Sequence, residues 1–174
     1  MPPKPPSFAE QLADCTQSAV HLEMRDAYGI ADEAEEFAAW KTGDSAGRHD
    51  WHGRRRGWLD LVSAAVERGV VMRRARIVSE PVSDYIRFEH EGTPLNIEAG
   101  EDVRWLPRRR ASDLALPGND FWLFDERVVR FNHFTGDGAS GGPEVVDDPA
   151  VVKLCAVAFA AVWERAVPHA EYRV

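Results

Sequence analysis

The chain has 174 residues, a net charge of −8 and 44% hydrophobic residues, which fits one globular domain that buries its own core. Its two cysteines, Cys15 and Cys155, are too few for a disulfide framework and favour a reducing compartment. No apolar run approaches the roughly 18–20 residues of a membrane helix, and the proline-rich start lacks the apolar stretch of a signal peptide. We therefore expect a cytoplasmic protein that stays out of membranes and, being acidic, does not bind nucleic acid on its own.

Residues 7–46 predict a helix–strand–helix extension that follows a flexible tail at 1–6. Ser7 and Glu10 have the spacing of a capping box, which predicts a short helix to about Cys15. Residues 18–25 alternate apolar and polar side chains, the pattern of a half-buried strand. Residues 30–40 return to helical spacing and run into a loop-like segment.

Residues 57–166 predict an α/β core, so that 1–174 form a single domain with a mixed sheet. A helix at 58–68 ends at a glycine and leads directly into a β-branched strand, which is half of an α/β unit. A short helix starts at Ser83 or Asp84 and ends near Gly92. The predicted strands of the sheet are 70–78, 102–106, 120–125 and 128–134. A turn-rich loop at 135–142 precedes the last helix, which Asp148 caps.

Three stretches together point to one family: HLEMRDAYG, RARIVSEPVSDYIRFE, and AGEDVRWLPR leading into LPGNDFWLFDERVV. They resemble an uncharacterised actinobacterial family, the domain of unknown function 6879, over nearly the whole chain. Members resemble accessory genes that accompany helix-turn-helix regulators in streptomycete-like bacteria. The resemblance therefore implies a regulatory role with such a regulator as the protein partner.

A more distant resemblance, over about 57–166, is to the core of the phospholipase D superfamily. The order of helix, strand, helix, short strand and strand hairpin is similar to one half of that fold, which implies a mixed-sheet sandwich. Those enzymes carry a histidine that attacks phosphorus, a lysine that holds the phosphate oxygens and an aspartate that orients the site. If that aspartate is Asp125, the lysine position is Asp120 and the histidine position is Gly118. We therefore expect a degenerate half-domain with no catalytic residue, in which Asp125 belongs to a plain hairpin turn.

Other chemistry has less support in the sequence. His49 and His52 are three residues apart, but zinc needs further ligands and no cysteine pair is near, so we expect no metal and no cofactor. His133 follows a strand and is more typical of a surface histidine than of a general base. Two routes to catalysis stay open: a metal held by Asp120 and Asp125, or His133 reaching the same site.

The candidate ligand-binding residues lie around the end of the central strand, where open α/β sheets bind ligands. One interpretation is a pocket in which Arg76, Arg87 and Arg104 face an anion. The other is a capped helix on which Asp84 and Arg87 form a surface ion pair. The full candidate set is Arg76, Ser79, Asp84, Arg87, Arg104, Asp120 and Asp125.

Three basic runs stand out against the acidic whole: Arg54–Arg56, Arg73–Arg76 and Arg108–Arg110. We interpret them as solvated side chains on strand edges and loops, or alternatively as one basic face for an acidic partner.

The leading functional hypothesis is a non-catalytic regulatory or interaction protein, either a ligand sensor or the partner of a helix-turn-helix regulator, with a homodimer left open. One alternative is a phosphodiesterase or nucleotide-processing enzyme with an unrecognised, metal-dependent site. Another is a component of a toxin–antitoxin pair.

Overall fold

The computed structural model describes residues 5–43 and 51–174. Most of the predicted flexible tail, the end of the N-terminal extension at 44–46 and His49 lie outside the described residues, and so does the side chain of His52. The described helices are α1 Phe8–Asp14, α2 Ala31–Lys41, α3 Trp51–Glu67, α4 Asp84–Glu98 and α5 Pro149–Arg165, with a short 3₁₀ helix at Arg108–Ala111. The strands are β1 Ser18–Glu23, β2 Val71–Val78, β3 Asp102–Pro107, β4 Asp120–Phe124, β5 Val128–Phe134, β6 Ser140–Val146 and β7 Val167–Pro168.

The seven strands form one mixed sheet in the order β6-β5-β4-β1-β2-β3-β7. The central strands β1, β2 and β3 are parallel, while β4, β5, β6 and β7 each pair antiparallel with a neighbour. The predicted mixed α/β fold is confirmed. The edge strands β6 and β7 were not predicted, because two glycines and a proline at 141–143 resemble a loop and β7 has only two residues.

Helices cover both faces of the sheet, and the two-residue alternation of the strands decides which side chains meet them. On one face, α5 packs Cys155, Phe159 and Val162 against Leu22 and Ile77. On the other face, α1 and α3 form one apolar cluster over the sheet, and α4 forms a second. The predicted packing of the 58–68 helix on this sheet is confirmed.

Helix α4 does not end near Gly92, as the sequence predicted, but continues through Pro94 to Glu98. Its last turns are held by burial, since Leu95 and Asn96 pack inside the fold, and packing outweighs the hydrogen bond that a proline removes. The helix stops at Gly100, which has a φ of 104° and whose missing side chain leaves room for Val66. The cap at the start is Ser83, which accepts the N–H of Ile86.

The β4–β5 hairpin is present, but Asp125 is more than a turn residue. Asp125 and Glu126 both have a φ of 51°, the signature of a tight type I′ turn. The Asp125 carboxylate accepts the backbone N–H groups of Thr16, Gln17 and Ser18, with oxygens 2.7–3.2 Å away. Burial alone would raise the pKa of Asp125, but these N–H groups hold it well below its usual range. The residue therefore fastens the hairpin to the start of β1.

Replacing Asp125 with alanine removes this latch, and we expect the free energy of unfolding to fall by roughly 1.5–3 kcal/mol, because hydrogen bonds to a charged acceptor are lost. Urea denaturation measures the change. Glu126→Ala is the matched control, since Glu126 is exposed and has the same φ. Equal losses in the two variants would show that the turn, and not the latch, carries the effect.

Candidate functional site

A cavity of about 740 Å³ lies on the sheet face that carries α3 and α4. Every second residue of three neighbouring strands points into it. The cavity floor consists of His21 and Glu23 from β1, Arg74 and Arg76 from β2, and Asp120 and Trp122 from β4. Helices α2, α3 and α4 form its walls. The polar side chains of β1 are therefore covered by protein, whereas the half-buried strand that the sequence predicted would expose them to water.

Two buried arginines share one carboxylate at the centre of the floor. The parallel pairing of β1 and β2 sets Glu23 opposite Arg76. Glu23 accepts a hydrogen bond from Arg76 Nε at 2.5 Å and from Arg74 Nη1 at 2.8 Å. Burial would raise the pKa of Glu23, but Arg76 and Arg74 hold it well below its usual range. Glu23 is therefore a fixed negative charge.

Further donors of both arginines are also bonded within the protein. Arg76 Nη2 donates to Glu89 at 2.6 Å and its Nη1 donates to the Thr93 hydroxyl. Arg74 Nε donates to Glu101 at 2.9 Å, and Glu101 also accepts from the amide of Asn96. These guanidinium groups are thus held in place and largely neutralised from within.

A third arginine lies in the wall. Arg55 of α3 places Nε 3.6 Å from Glu36 and Nη2 3.7 Å from Glu89. Glu36 is 4% exposed, so this contact is shielded from solvent. It links α2, α3 and α4 around the cavity.

Two further carboxyl groups have tyrosine hydroxyls as partners. Tyr28 donates to Asp120, which also accepts the Met24 N–H, and Tyr85 donates to Glu33. Burial raises the pKa of Asp120 to about 6. Burial, and then the charge of Glu89, raise the pKa of Glu33 to about 7. Buried groups that titrate near neutrality in a cleft are typical of functional sites.

His21 stands out because it is buried and polar without a hydrogen bond. It is 7% exposed, stacks on Trp122 with ring centroids 4.2 Å apart, and neither ring nitrogen has a hydrogen-bond partner within 5–43 and 51–174. Burial lowers its pKa to about 3, so the imidazole is neutral. Nδ1 lies 3.6 Å from a Glu23 oxygen, which favours the proton on Nδ1 and leaves the Nε2 lone pair as an acceptor.

The structure does not bring the predicted anion-binding arginines together. Arg76 lies in the cavity floor, but Arg104 is on the opposite face, with its guanidinium 4.2 Å from the Trp163 ring centre. Arg87 is exposed on α4. The solvated interpretation is also wrong for the central strand, because Arg74 and Arg76 are only 7% and 4% exposed.

The other candidates have separate places. Ser79 is bonded to Asp26 and Arg108 beyond the end of β2. Asp84 is the exposed first residue of α4, and no hydrogen bond or ion pair joins it to Arg87 among the contacts of the described chain. Asp120 lines the cavity, whereas Asp125 lies at the far end of β4.

Neither open route to catalysis is supported by this geometry. Asp120 and Asp125 are five residues apart along an extended strand, about 17 Å, which is too far for one metal ion. His133 bonds to Glu144 on β6, and its neighbours Asn132 and Phe134 are the residues of β5 that line the cavity. Across the part of the chain that the structure describes, no group of three or more potential ligands could hold a metal ion. Nor does any described helix have the length and apolar character to cross a membrane.

The sequence predicted only Arg76 and Asp120 of the residues that line this cavity. It missed His21, Glu23, Glu33, Arg74 and Trp122. A signal was present, since polar side chains recur at every second position of β1 and β2. That signal is also typical of a solvent-exposed face, and only the helices above the sheet distinguish the two.

The comparisons agree on a family and a fold. A family model described as "Domain of unknown function (DUF6879)" matches residues 6–174. A phospholipase D family member, Nuc from Salmonella typhimurium, is similar in structure, with a TM-score of 0.54 at 12% identity, covering 95% of this chain and 88% of that chain. TrmBL2, an archaeal chromatin protein, has a TM-score of 0.47 at 16% identity, covering 91% of this chain and 47% of that chain, which is too low to carry an argument. No curated protein matches the sequence.

The raised pKa of Asp120 has a consequence for stability. A folded pKa above the unfolded value stabilises the protein at acid pH, and this contribution is lost as the pH rises through about 6. Asp120→Asn never ionises; it keeps one of the two acceptor oxygens that serve the Tyr28 hydroxyl and the Met24 N–H, and the loss of the other is the same at every pH. When the pH is raised from 4 to 7.5, we expect the free energy of unfolding of the variant to increase by about 1–3 kcal/mol relative to that of wild type.

Urea midpoints at the two pH values measure this difference. The contribution of His21 to the pH dependence of stability cancels, because both proteins contain it. Asp113→Asn is the control, because Asp113 is exposed and pairs with Arg165 away from the cavity. An Asp120→Asn profile that runs parallel to wild type would contradict a raised Asp120 pKa.

Proposed function

We propose, from the premise that this chain belongs to the DUF6879 family, that it is a non-catalytic regulatory protein whose cavity senses a small ligand. The observation that carries the proposal is the buried His21, which has no hydrogen-bond partner within the described ranges and lines a cavity of about 740 Å³. A buried polar group without a partner costs free energy, and a ligand that bonds to it removes that cost. Cavities of 300–1,000 Å³ are typical of small-molecule sites.

The same cavity argues against phosphodiester chemistry. If Asp125 corresponds to the aspartate of the phospholipase D motif, Asp120 stands where the motif has the lysine that neutralises phosphate oxygens. A second carboxylate, Glu23, lies in the same floor and is held ionised. An anionic substrate would therefore meet fixed negative charge where catalysis requires a cation.

One observation favours a second function. The carboxyl groups of Glu33 and Asp120 have pKa values raised to about 7 and about 6, which suits general acid–base catalysis at neutral pH. An enzyme that acts on an uncharged or cationic substrate is therefore the alternative to a sensor. Both functions use the same cavity and differ in whether the ligand is changed.

We expect no hydrolysis of bis-nitrophenyl phosphate or of single-stranded DNA, with or without magnesium, manganese or zinc. The physical reason is the absence of a nucleophile at Gly118 and of a cation at Asp120. If the wild type hydrolyses either substrate and Asp120→Ala abolishes this activity, the protein is an enzyme and not a sensor.

Ligand binding is tested directly with a fragment library that holds equal numbers of cationic, neutral and anionic compounds. The indole N–H signals of Trp58 and Trp122 report on the cavity in a ¹⁵N NMR spectrum, because both side chains line it. Trp105, which packs beneath α4 and does not line the cavity, supplies the control signal. We expect hits that shift Trp58 and Trp122 but not Trp105, and a library without such hits would refute the ligand-binding function.

The regulatory part of the proposal comes from the family resemblance. It comprises an actinobacterial source, a cytoplasmic location and association with the helix-turn-helix regulator encoded beside the gene. Co-expression of the two proteins tests it, with a stable complex as the expected result. Failure to form a complex both with and without a cavity ligand would limit the proposal to ligand binding.

A further inference from the structure

The charges of the cavity do not balance among the residues that the structure describes. Its described lining contains three arginines, Arg55, Arg74 and Arg76, and six acidic residues, Glu23, Glu33, Glu35, Glu36, Glu89 and Asp120. The arginines contact Glu23, Glu36, Glu89 and the neighbouring Glu101. Those glutamates already outnumber the arginines, before Glu33 and Asp120 are considered.

Two of the remaining carboxyl groups, Glu33 and Asp120, lie near each other, because the tyrosines that donate to them are in contact. Their partners Tyr85 and Tyr28 have ring centroids 5.9 Å apart. Neither carboxyl group forms an ion pair within 4 Å with a described cation, although Arg25 and Arg55 act on Asp120 and Glu33 from further away. The guanidinium of Arg25 lies 5.0 Å from the centre of the Phe134 ring. A positive group near Glu33 and Asp120 would meet two carboxylates and neighbouring aromatic rings, the combination that recognises organic cations.

Another part of the cavity lining is aromatic. Trp58 and Trp122 approach to 5.7 Å between ring centroids, and His21 stacks on Trp122. The unprotonated Nε2 of His21 is an acceptor without a partner among the described residues, so a ligand that donates an N–H or O–H would satisfy it. Trp122 is 4% exposed, so the indole that a flat apolar body can contact is that of Trp58.

The geometry points to a small organic cation as the ligand of this cavity: an ammonium or guanidinium group bound by the carboxylates of Glu33 and Asp120, attached to a flat apolar body that lies against Trp58. This inference rests on the proposed ligand-binding function and names its ligand class. The cation completes the charge of the site, and the body fills its aromatic part.

The test uses three compounds that share an indole ring and differ in charge: tryptamine, its neutral analogue tryptophol, and the anion indole-3-acetate. Isothermal titration and the Trp58 and Trp122 signals measure their binding to the whole chain at pH 8, where Glu33 and Asp120 are ionised. We expect tryptamine to bind at least roughly tenfold more tightly than tryptophol, and indole-3-acetate to bind most weakly.

Two charge-removing variants identify the carboxylates. Glu33→Gln keeps the acceptor for Tyr85, and Asp120→Asn keeps one of the two acceptor oxygens of Asp120. Each should weaken tryptamine binding roughly tenfold and tryptophol binding much less. Asp113→Asn is the control with the same loss of charge outside the cavity, and it should leave both affinities as they are. Because the wild-type comparison needs no variant, it stands even if one substitution unfolds the protein.

The outcomes separate this inference from the function on which it rests. Library hits in the cavity that are mainly neutral or anionic, with tryptophol or indole-3-acetate binding as tightly as tryptamine, would overturn the cationic ligand and leave the ligand-binding function standing. The absence of any hit in the cavity would overturn both. Tryptamine binding that Glu33→Gln and Asp120→Asn leave unchanged would place the cation elsewhere and contradict the inference.

Discussion

The contact on which this face of the structure depends is the carboxylate of Glu23 shared by Arg74 and Arg76. All three side chains are largely buried, and the two arginines lie on one strand, two residues apart. Removing one member of such a group leaves an uncompensated buried charge, which typically costs about 3–5 kcal/mol. The group therefore fixes the register of β1 against β2 and forms a rigid, polar floor between the apolar clusters under α3 and α4.

That floor explains why two arginines in a cavity do not create an anion site. Their donors are directed at Glu23, Glu89 and Glu101 within the protein. Glu33 and Asp120, which have tyrosine hydroxyls as partners, face the same cavity. The basic run Arg73–Arg76 thus contributes to a site in which carboxyl groups outnumber arginines, because the sheet and its helices bring glutamates from other elements against Arg74 and Arg76.

The likeness in fold to a phospholipase D family member extends over almost the whole chain, yet the residues that would perform its chemistry are absent. This likeness shows the fold alone, since function depends on the residues of a site and not on the fold. Asp125 fastens the β4–β5 hairpin to the start of β1.

Much of the fold could be predicted from the sequence, because the main helices and central strands have strong periodicity. The 58–68 helix, its Gly69 end and the strand that follows depend on local signals. Helix α4 was predicted too short, since Pro94 stops helices locally but is overridden by the burial of its last turns. The site was harder, because a polar residue at every second position, such as His21 and Glu23, has the same pattern whether water or a helix covers it. Arg104 was placed with Arg76 for a related reason: the sequence gives the spacing on each strand, but not which face of the sheet is shared.

The most direct measurement is the pKa of the Asp120 carboxyl group, followed by ¹³C NMR of the labelled side chain as the pH is varied. Burial of Asp120, with the negative charge of Glu23 nearby and no described arginine paired with it, predicts a pKa of about 6. A value at or below the ordinary 3.8 would show that a positive charge already compensates Asp120, and would contradict the account.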